Sequence, residues 1–169
     1  MVNWFINTII RMEVKILKTN PKAVIPTKAY PADFCYDCVA ISEEEVAPNV
    51  WKYGLGLAFQ IKRRVEPIDP NLAIDFNCSP IDLSIDARPR SSVWKTGMIL
   101  SNCEGTIDES YTGEVSAVFY HVNPDMPRYK VGDRVCQIKL GFTLPIDFVE
   151  VDSLDKTDRG DNSYGSTGR

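Results

Sequence analysis

The sequence has few of the residue types that build metal centres and disulfide scaffolds. It contains one histidine and five cysteines in 169 residues. Cys35 and Cys38 form a lone C-x-x-C pair, whereas a zinc site needs a second pair of ligands. The odd number of irregularly spaced cysteines does not describe a disulfide framework and fits a reducing compartment, so we expect a cytoplasmic protein. We interpret the cysteines, which also include Cys78, Cys103 and Cys136, as small hydrophobic packing residues.

Long hydrophobic runs and an excess of basic charge are also lacking. The apolar start, residues 1–11, is too short to span a bilayer, and it lacks the basic head and small-residue cleavage site of a signal peptide. The net charge of −4 argues against a nucleic-acid surface, which needs a basic stripe that releases counterions. We therefore expect no membrane and no nucleic-acid partner. A few converging arginines with a divalent cation can still hold a triphosphate in an acidic protein.

Helical periodicity is scarce, and internal repeats are not visible. From residue 12 onward, short apolar runs are broken about every ten residues by turn formers, with 11 prolines and 10 glycines in total. Residues 12–18 alternate as a strand does. This pattern predicts a single all-β domain, a sandwich or a barrel. Residues 42–46 are the only convincing helical candidate, because Ser42 can cap a helix and three glutamates would suit its N-terminus.

The most informative stretch is residues 105–113, a polar turn between two apolar runs at residues 97–100 and 115–122. Apolar runs on both sides of such a turn predict a β-hairpin. The turn carries a carboxylate, Asp108, an aromatic ring, Tyr111, and a glycine at each end where the backbone can approach a ligand closely. Asp108 is therefore a candidate functional residue, although many aspartates in turns only bond their own backbone.

Four other segments are also polar and carry side chains that are suited to binding a ligand. They are Tyr36-Asp37, the Pro-Arg-Ser-Ser run at residues 89–92, the Gly-Asp-Arg turn at residues 132–134, and the glycine-rich tail at residues 159–168. Together with residues 105–113 they resemble, in the same order, the five signature motifs of the trimeric dUTPases, which hydrolyse dUTP to dUMP and pyrophosphate. Residues 54–61 also resemble a strand of that family, and the resemblance spans residues 12–169.

The resemblance implies a fold and an assembly. We expect an all-β, dUTPase-like distorted β-barrel or jelly roll, forming a homotrimer with shared active sites. Residues 1–11 would be an N-terminal appendage and residues 12–151 the β domain, with an insertion at about residues 62–80 that is long for the family. Residues 152–169 would form a flexible C-terminal arm that swaps between subunits and orders over bound nucleotide.

The resemblance also implies roles for individual residues. Asp108 would be the catalytic general base that activates water for attack on the α-phosphorus, and Asp37 would hold magnesium (Mg2+) through water. Ser91 would act on the oxygen that bridges the α and β phosphorus atoms, and Tyr111 would exclude a ribose hydroxyl. The full set of substrate-binding residues implied is Arg90, Ser91, Ser92, Asn102, Gly105, Thr106, Ile107, Tyr111, Gln137, Arg159, Tyr164, Gly165, Ser166 and Thr167.

Some positions depart from the family pattern and leave alternatives open. Asn162 and Ser163 replace two glycines of the arm, which predicts weaker or slower closure, since positive φ is costlier for other residues than for glycine. One alternative is a non-catalytic, dUTPase-like trimer that regulates or binds another protein. A dCTP deaminase is less favoured, because the position of its catalytic glutamate is Val118 here. Arg134 is interpreted as a structural residue that ties its turn to the following strand.

Overall fold

The computed structural model describes residues 8–67 and 82–161, and the side chains of residues 13–62 and 82–161. Most of the insertion expected at residues 62–80 lies outside the described residues. So do six residues of the arm to which the sequence analysis assigned a role or a consequence. These are Asn162, Ser163, Tyr164, Gly165, Ser166 and Thr167.

The described residues form strands with a single short 3-10 helix among them, which confirms the all-β prediction. No helix in this part of the chain has the length and apolar character needed to cross a membrane. The 3-10 helix covers Ser91–Lys95. The strands are β1 Thr8–Lys18, β2 Tyr36–Val39, β3 Ser42–Ala47, β4 Val50–Gly54, β5 Leu57–Pro67, β6 Asp82–Pro89, β7 Met98–Leu100, β8 Gly105–Asp108, β9 Ser116–His121 and β10 Arg134–Thr143.

The strands make two four-stranded sheets and one two-stranded ribbon. The first sheet has the order β2-β10-β6-β8, the second has the order β3-β4-β9-β7, and the ribbon pairs β1 with β5. All of these pairs are antiparallel. This is a jelly-roll-like arrangement, as expected for a chain in which short alternating strands bury one face each.

The core is formed by residues that both sheets and the ribbon contribute. Tyr53 of β4, Phe119 of β9 and Val135 of β10 have no exposed surface. The rings of Tyr53 and Phe119 meet edge to face with centroids 5.9 Å apart, an arrangement that adds to the gain from burial alone. Cys38 and Cys136 are directly opposite each other on β2 and β10 and are fully buried, in agreement with their interpretation as packing residues. Cys103 is exposed, so the same interpretation was wrong for that residue.

Residues 42–46 are a strand and not the helix that the capping pattern predicted. Strand β3 pairs with β4 from Ser42 opposite Gly54 to Ala47 opposite Val50. The carboxylate of Glu43 accepts hydrogen bonds from the Arg128 guanidinium and the Val131 backbone N–H, each at 3.1 Å. These partners are distant in sequence, and their contacts outweigh the local preference for a helix start.

Strand β1 begins at Thr8, four residues before the predicted start at Met12. Its additional residues pair with the end of β5, from Thr8 opposite Pro67 to Arg11 opposite Arg64. Residues 8–11 and the first residues of the insertion therefore form one continuous ribbon. A single-strand pattern cannot reveal this pairing, because each segment completes the backbone hydrogen bonds of the other.

The predicted hairpin around residues 105–113 is more complex than expected. Strands β7 and β9 do pair, from Met98 opposite His121 to Leu100 opposite Phe119. Between them, however, strand β8 leaves that sheet and pairs with β6 of the other sheet. Asp108 therefore ends a strand instead of lying at the tip of a free turn, and Ile107 packs against the core.

We predict that Gly141→Ala destabilises the fold by about 1 to 3 kcal/mol, the usual cost of overpacking. A Cβ at Gly141 would overlap the Asp86 carboxylate and the Ser84 hydroxyl on the neighbouring strand. Urea unfolding measures the effect. Thr143→Ala, at an exposed site of the same strand, is the control and should change the free energy of unfolding by less than about 0.5 kcal/mol. Equal stabilities for the two variants would contradict the prediction.

Candidate active site

One group of candidate residues gathers around the carboxylate of Asp37 on β2. Its two oxygens accept hydrogen bonds from Arg90 Nε at 2.8 Å, Arg90 Nη2 at 3.3 Å and Arg134 Nη1 at 3.0 Å. The Asp37 side chain is only 14% exposed, so the two guanidinium groups offset the cost of removing its charge from water. Gln137 is the residue opposite Asp37 on β10 and completes this group.

Arg90 begins a short turn, residues 90–96, that contains the 3-10 helix. The turn is held by hydrogen bonds from Val93 N–H to the Arg90 carbonyl and from the Thr96 hydroxyl to the Val93 carbonyl, at 3.0 and 2.7 Å. Arg90 Nη1 also donates to the Ser92 hydroxyl at 3.2 Å. Ser91 is exposed at the first position of the helix. The turn thus offers a guanidinium, two hydroxyl groups and helix N–H groups, which are the donors that bind phosphate oxygens.

A second group of candidate residues lies along β8 and in the turn that follows it, where the Asp108 carboxylate is exposed. The Tyr111 backbone N–H donates to the Asp108 carbonyl at 3.0 Å, and the Tyr111 hydroxyl donates to the Glu114 carbonyl at 3.0 Å. A Cβ at Gly113 would lie 2.5 Å from the Tyr111 hydroxyl oxygen, so this close approach requires glycine. The Asn102 side chain folds over Gly105, where an added Cβ would lie 3.0 Å from its amide nitrogen.

These two groups lie at opposite ends of strand β6. Asp108 is opposite Ser84, whereas Arg90 follows β6 six residues further along the chain. At about 3.3 Å per residue, six strand residues span about 20 Å. A single chain therefore brings Asp37, Arg90 and Gln137 together and places Asp108 beside Tyr111, but it does not bring the two groups onto one small ligand. Asn102 lies at Gly105, the other end of β8 from Asp108.

The remaining predicted residues occupy less defined positions. Thr106 lies on β8 and opposite Asp86, and it is exposed. Arg159 lies beyond β10 in an exposed segment that belongs to no strand. The prediction for Arg134 as a residue that ties the turn to its strand was too narrow, because its guanidinium reaches across to Asp37 on β2.

A buried charged network beside Asp108 was not found from the sequence. Asp86 on β6 is 6% exposed, accepts a hydrogen bond from the Ser84 hydroxyl at 2.7 Å and forms an ion pair with Lys139 of β10. With Asp108 and other residues, Asp86 and Lys139 line a cavity of about 550 Å³. The sequence carried little signal for this pair, because Asp86 and Lys139 are directly opposite each other only once β6 and β10 have paired. Glu104 lies 3.8 Å from Lys139 and extends the network.

Asp37 fits a magnesium ion only through water. Three of its lone-pair positions already accept hydrogen bonds from Arg90 and Arg134. Among the side chains described, no group of three or more histidine, cysteine, aspartate or glutamate residues could hold a metal ion directly. Magnesium tolerates such a site, because it commonly keeps several waters and takes most of its remaining ligands from substrate phosphates.

The fold is of the class seen in dUTPase structures. A solved structure of Staphylococcus bacteriophage 80alpha dUTPase with dUPNHPP superimposes with a TM-score of 0.67 at 16% identity, covering 93% of this chain and 99% of that chain. A structure of a mutant of the same dUTPase, also with dUpNHpp, superimposes with a TM-score of 0.65 at 17% identity, again covering 93% and 99%. At these identities the superpositions show the shared fold.

Sequence comparison places the chain more closely. A family model described as dUTPase matches residues 54–168. The deoxyuridine 5'-triphosphate nucleotidohydrolase of Clostridium novyi is 30% identical over 159 residues, covering 93% of this chain and 99% of the relative. That of Finegoldia magna is 41% identical over 90 residues, covering 53% of this chain and 63% of the relative. The chain belongs to the dUTPase family, as the five motifs predicted.

We predict that Asp86 makes the fold sensitive to acid. Burial raises the pKa of its carboxyl group. The Lys139 ammonium and the Ser84 hydroxyl lower the pKa by more than burial raises it, so the pKa lies below the ordinary value. A carboxyl group of this kind contributes stability that is complete above its ordinary pKa of about 3.9 and is lost as the pH falls through the folded-state pKa. Urea unfolding between about pH 3 and 7 should therefore show a smaller acid-side slope in Asp86→Asn than in the wild type.

The same variant should lose about 3 kcal/mol at neutral pH, because Lys139 then keeps a largely buried charge with only the more distant Glu104 carboxylate, 3.8 Å away, to balance it. Asp125→Asn, an exposed carboxylate in another turn, is the control and should leave both the slope and the neutral-pH stability unchanged. Identical acid-side slopes in Asp86→Asn and the wild type would contradict the assignment.

Proposed function

We propose that this protein hydrolyses dUTP to dUMP and pyrophosphate. The observation that carries the proposal is the exposed Asp108 carboxylate at the end of β8, fixed next to Tyr111, in a chain that also keeps the Asp37, Arg90 and Gln137 group. Full-length relatives named deoxyuridine 5'-triphosphate nucleotidohydrolases support the same substrate and reaction. Each of the two groups is suited to a different part of that nucleotide.

The turn at residues 90–96 binds the phosphate chain in this proposal. Arg90 would exchange the Asp37 carboxylate for phosphate oxygens, where its planar fork of donors can bind two oxygens at once. Ser91 and Ser92 would donate their hydroxyl groups, with Ser91 directed to the oxygen between the α and β phosphorus atoms. Negative charge develops on that oxygen as the bond breaks, so a donor placed there stabilises the transition state. Gln137 would donate its amide to the α-phosphate.

Asp108 acts on water. Its carboxylate would accept a proton from a water molecule while that oxygen forms a bond to the α-phosphorus in line with the leaving group. The bond between the α-phosphorus and the bridging oxygen then breaks, and pyrophosphate leaves with the electron pair. Asp37 would hold magnesium through water, and the ion would supply positive charge that neutralises the phosphates.

The second group recognises the nucleoside. The Asn102 amide and the backbone of β8 at Gly105, Thr106 and Ile107 would pair with the edge of uracil. Cytosine presents the reverse order of donors and acceptors, so buried polar groups would be left unpaired and cytosine would be rejected strongly. Tyr111 would lie against the sugar, where its ring leaves no room for a ribose hydroxyl.

A complete site needs more than one copy of the chain, and we propose a homotrimer. The separation of about 20 Å between the Asp108 and Arg90 ends of β6 exceeds what one α-phosphate can bridge, so the two groups would come from neighbouring copies. The segment after β10 supports this proposal, because several of its large apolar side chains are exposed in a single copy and another copy could bury them. Ile146, Phe148 and Leu154 are 70%, 91% and 87% exposed.

That segment would lead into the arm at residues 152–169, which we propose to close over nucleotide bound at another copy. Arg159, Ser166 and Thr167 would then meet the γ-phosphate, and Tyr164, followed by Gly165, would stack on uracil. The free thiols of Cys35, Cys38, Cys103 and Cys136 support a reducing compartment, the cytoplasm, as its location.

A regulatory function is the second candidate. The bacteriophage 80alpha dUTPase with the same fold is described as controlling transfer of virulence genes by a proto-oncogenic G protein-like mechanism. In this chain the insertion at about residues 62–80, whose first residues belong to the β1–β5 ribbon, is the surface that would serve such a role. A trimer of this kind would bind dUTP without needing to turn it over rapidly.

We predict that Asp108→Asn lowers the rate of pyrophosphate release from dUTP by about 100-fold or more, because general-base catalysis is lost. Binding of a non-hydrolysable α,β-imido analogue of dUTP, measured by calorimetry, should stay within about threefold of the wild type. Asp125→Asn, at an exposed turn, is the matched control and should keep full activity. Undiminished turnover in Asp108→Asn would refute the base assignment, and an inactive wild type that binds the analogue would favour the regulatory function.

We also predict that two inactive variants restore activity when they are mixed. Asp108→Asn and Arg90→Ala each remove one group, so co-refolding them at equal amounts yields some sites in which both groups are intact. If each site takes the two groups from different copies, about one quarter of the sites are intact, since each copy is drawn with even odds. Recovery of about a quarter of wild-type activity is expected. No recovery would place both groups of a site on the same copy.

A further inference from the structure

The Tyr129 hydroxyl is a buried polar group without a partner. Tyr129 is 6% exposed, and its hydroxyl makes no hydrogen bond to any described residue. A buried donor without an acceptor is unfavourable, and such groups in native proteins frequently have a functional explanation. Phenylalanine would fill the same space without this penalty, so the position of the hydroxyl needs a reason.

The ring of Tyr129 is held firmly in place. It meets the ring of Phe119 edge to face with centroids 5.3 Å apart, and the ring of Tyr53 at 6.2 Å. Its backbone carbonyl accepts a hydrogen bond from the Tyr53 hydroxyl at 2.8 Å, and its backbone N–H donates to the Met98 sulfur at 3.3 Å. The hydroxyl therefore cannot turn toward water to find a partner, and any partner must come to it.

The neighbour of this hydroxyl is the turn at residues 90–96. The segment that leads into Tyr129 is joined to the end of the turn by the hydrogen bond from Gly97 N–H to the Pro127 carbonyl at 3.1 Å. Burial raises the pKa of Tyr129, and the Arg90 charge and the Thr96 hydroxyl are near enough to act in the opposite direction. The contact with Thr96 nonetheless falls short of a hydrogen bond.

Thr96 is the neighbour that can accept the Tyr129 proton. Its hydroxyl hydrogen is already donated to the Val93 carbonyl at 2.7 Å, which leaves lone pairs on its oxygen. The guanidinium of Arg90 offers no acceptor. In this structure Arg90, the first residue of the turn, is bound to Asp37, and the Tyr129 hydroxyl is unpaired.

We propose that Tyr129 is a positioning residue for the phosphate-binding turn, forming a hydrogen bond to Thr96 only when the outer phosphates draw Arg90 away from Asp37. This inference rests on the proposed function, because it takes residues 90–96 as the phosphate-binding turn. A donor that is unpaired in the free protein and paired in the complex favours the complex, since only an interaction that differs between two states shifts the equilibrium between them. The hydroxyl lowers the stability of the free fold and raises affinity for the triphosphate.

The test is Tyr129→Phe, which keeps the ring and removes the hydroxyl. We expect the Tm of the free protein to rise by about 2 to 4 °C, because the unpaired group is gone. Affinity for the α,β-imido analogue of dUTP, measured by calorimetry, should fall about tenfold, which corresponds to about 1.4 kcal/mol. Affinity for dUMP, which lacks the outer phosphates, should stay unchanged. A higher Tm with unchanged analogue affinity would overturn the proposal.

Tyr53→Phe is the matched control, since it removes a paired hydroxyl from the same core. It should lower the Tm, the opposite of the change expected for Tyr129→Phe, and should lower analogue affinity by less than Tyr129→Phe does. A double-mutant cycle of Tyr129→Phe with Thr96→Val should show coupling in analogue affinity and none in the Tm of the free protein. Additive effects on affinity would also overturn the proposal. Pyrophosphate release by the wild type tests the proposed function separately, because analogue affinity needs no turnover.

Discussion

The architecture of the site depends on one charged cluster, the Asp37 carboxylate between the guanidinium groups of Arg90 and Arg134. Asp37 lies on β2, Arg90 directly follows β6 and Arg134 begins β10, so their ion pairs link three neighbouring strands of one sheet. Low exposure of the carboxylate makes the loss of either arginine costly. The ion pair also affects the proposed chemistry, because Arg90 must leave the Asp37 carboxylate before it can bind phosphate.

Strand β6 determines what one copy of the chain can do alone. Its two ends carry different groups, with Arg90 just beyond one end and Asp108 opposite Ser84 near the other. A strand is a stiff spacer, and about 20 Å of it separates the base from the phosphate-binding residues. Assembly and catalysis are therefore linked in the proposed mechanism, because monomers would hold every required group and still lack a site.

The sequence predicted several of the strands but few of the contacts between residues that are distant along the chain. Alternation predicted the strand at residues 12–18, and β-branched and aromatic content predicted β9, because both patterns are local. The helix predicted at residues 42–46 was wrong, since Glu43 is held by Arg128, 85 residues away. The Asp37 cluster joins residues separated by 53 and 97 positions, and the Tyr129 hydroxyl is unusual only in what surrounds it. Motif order identified the cluster residues as candidates, but spacing along the chain carries no information about such partners.

The pairing of residues 8–11 with residues 64–67 has a consequence for how the chain can be shortened. Starting the polypeptide at Met12 would discard a segment that the motifs do not need, yet it would strip one side of the hydrogen-bond ladder from the last four residues of β5. Uncovered backbone of that kind recruits strands from other molecules. Residues 8–11 thus protect this strand edge, and removing them would lower the solubility of the protein before it lowered its activity.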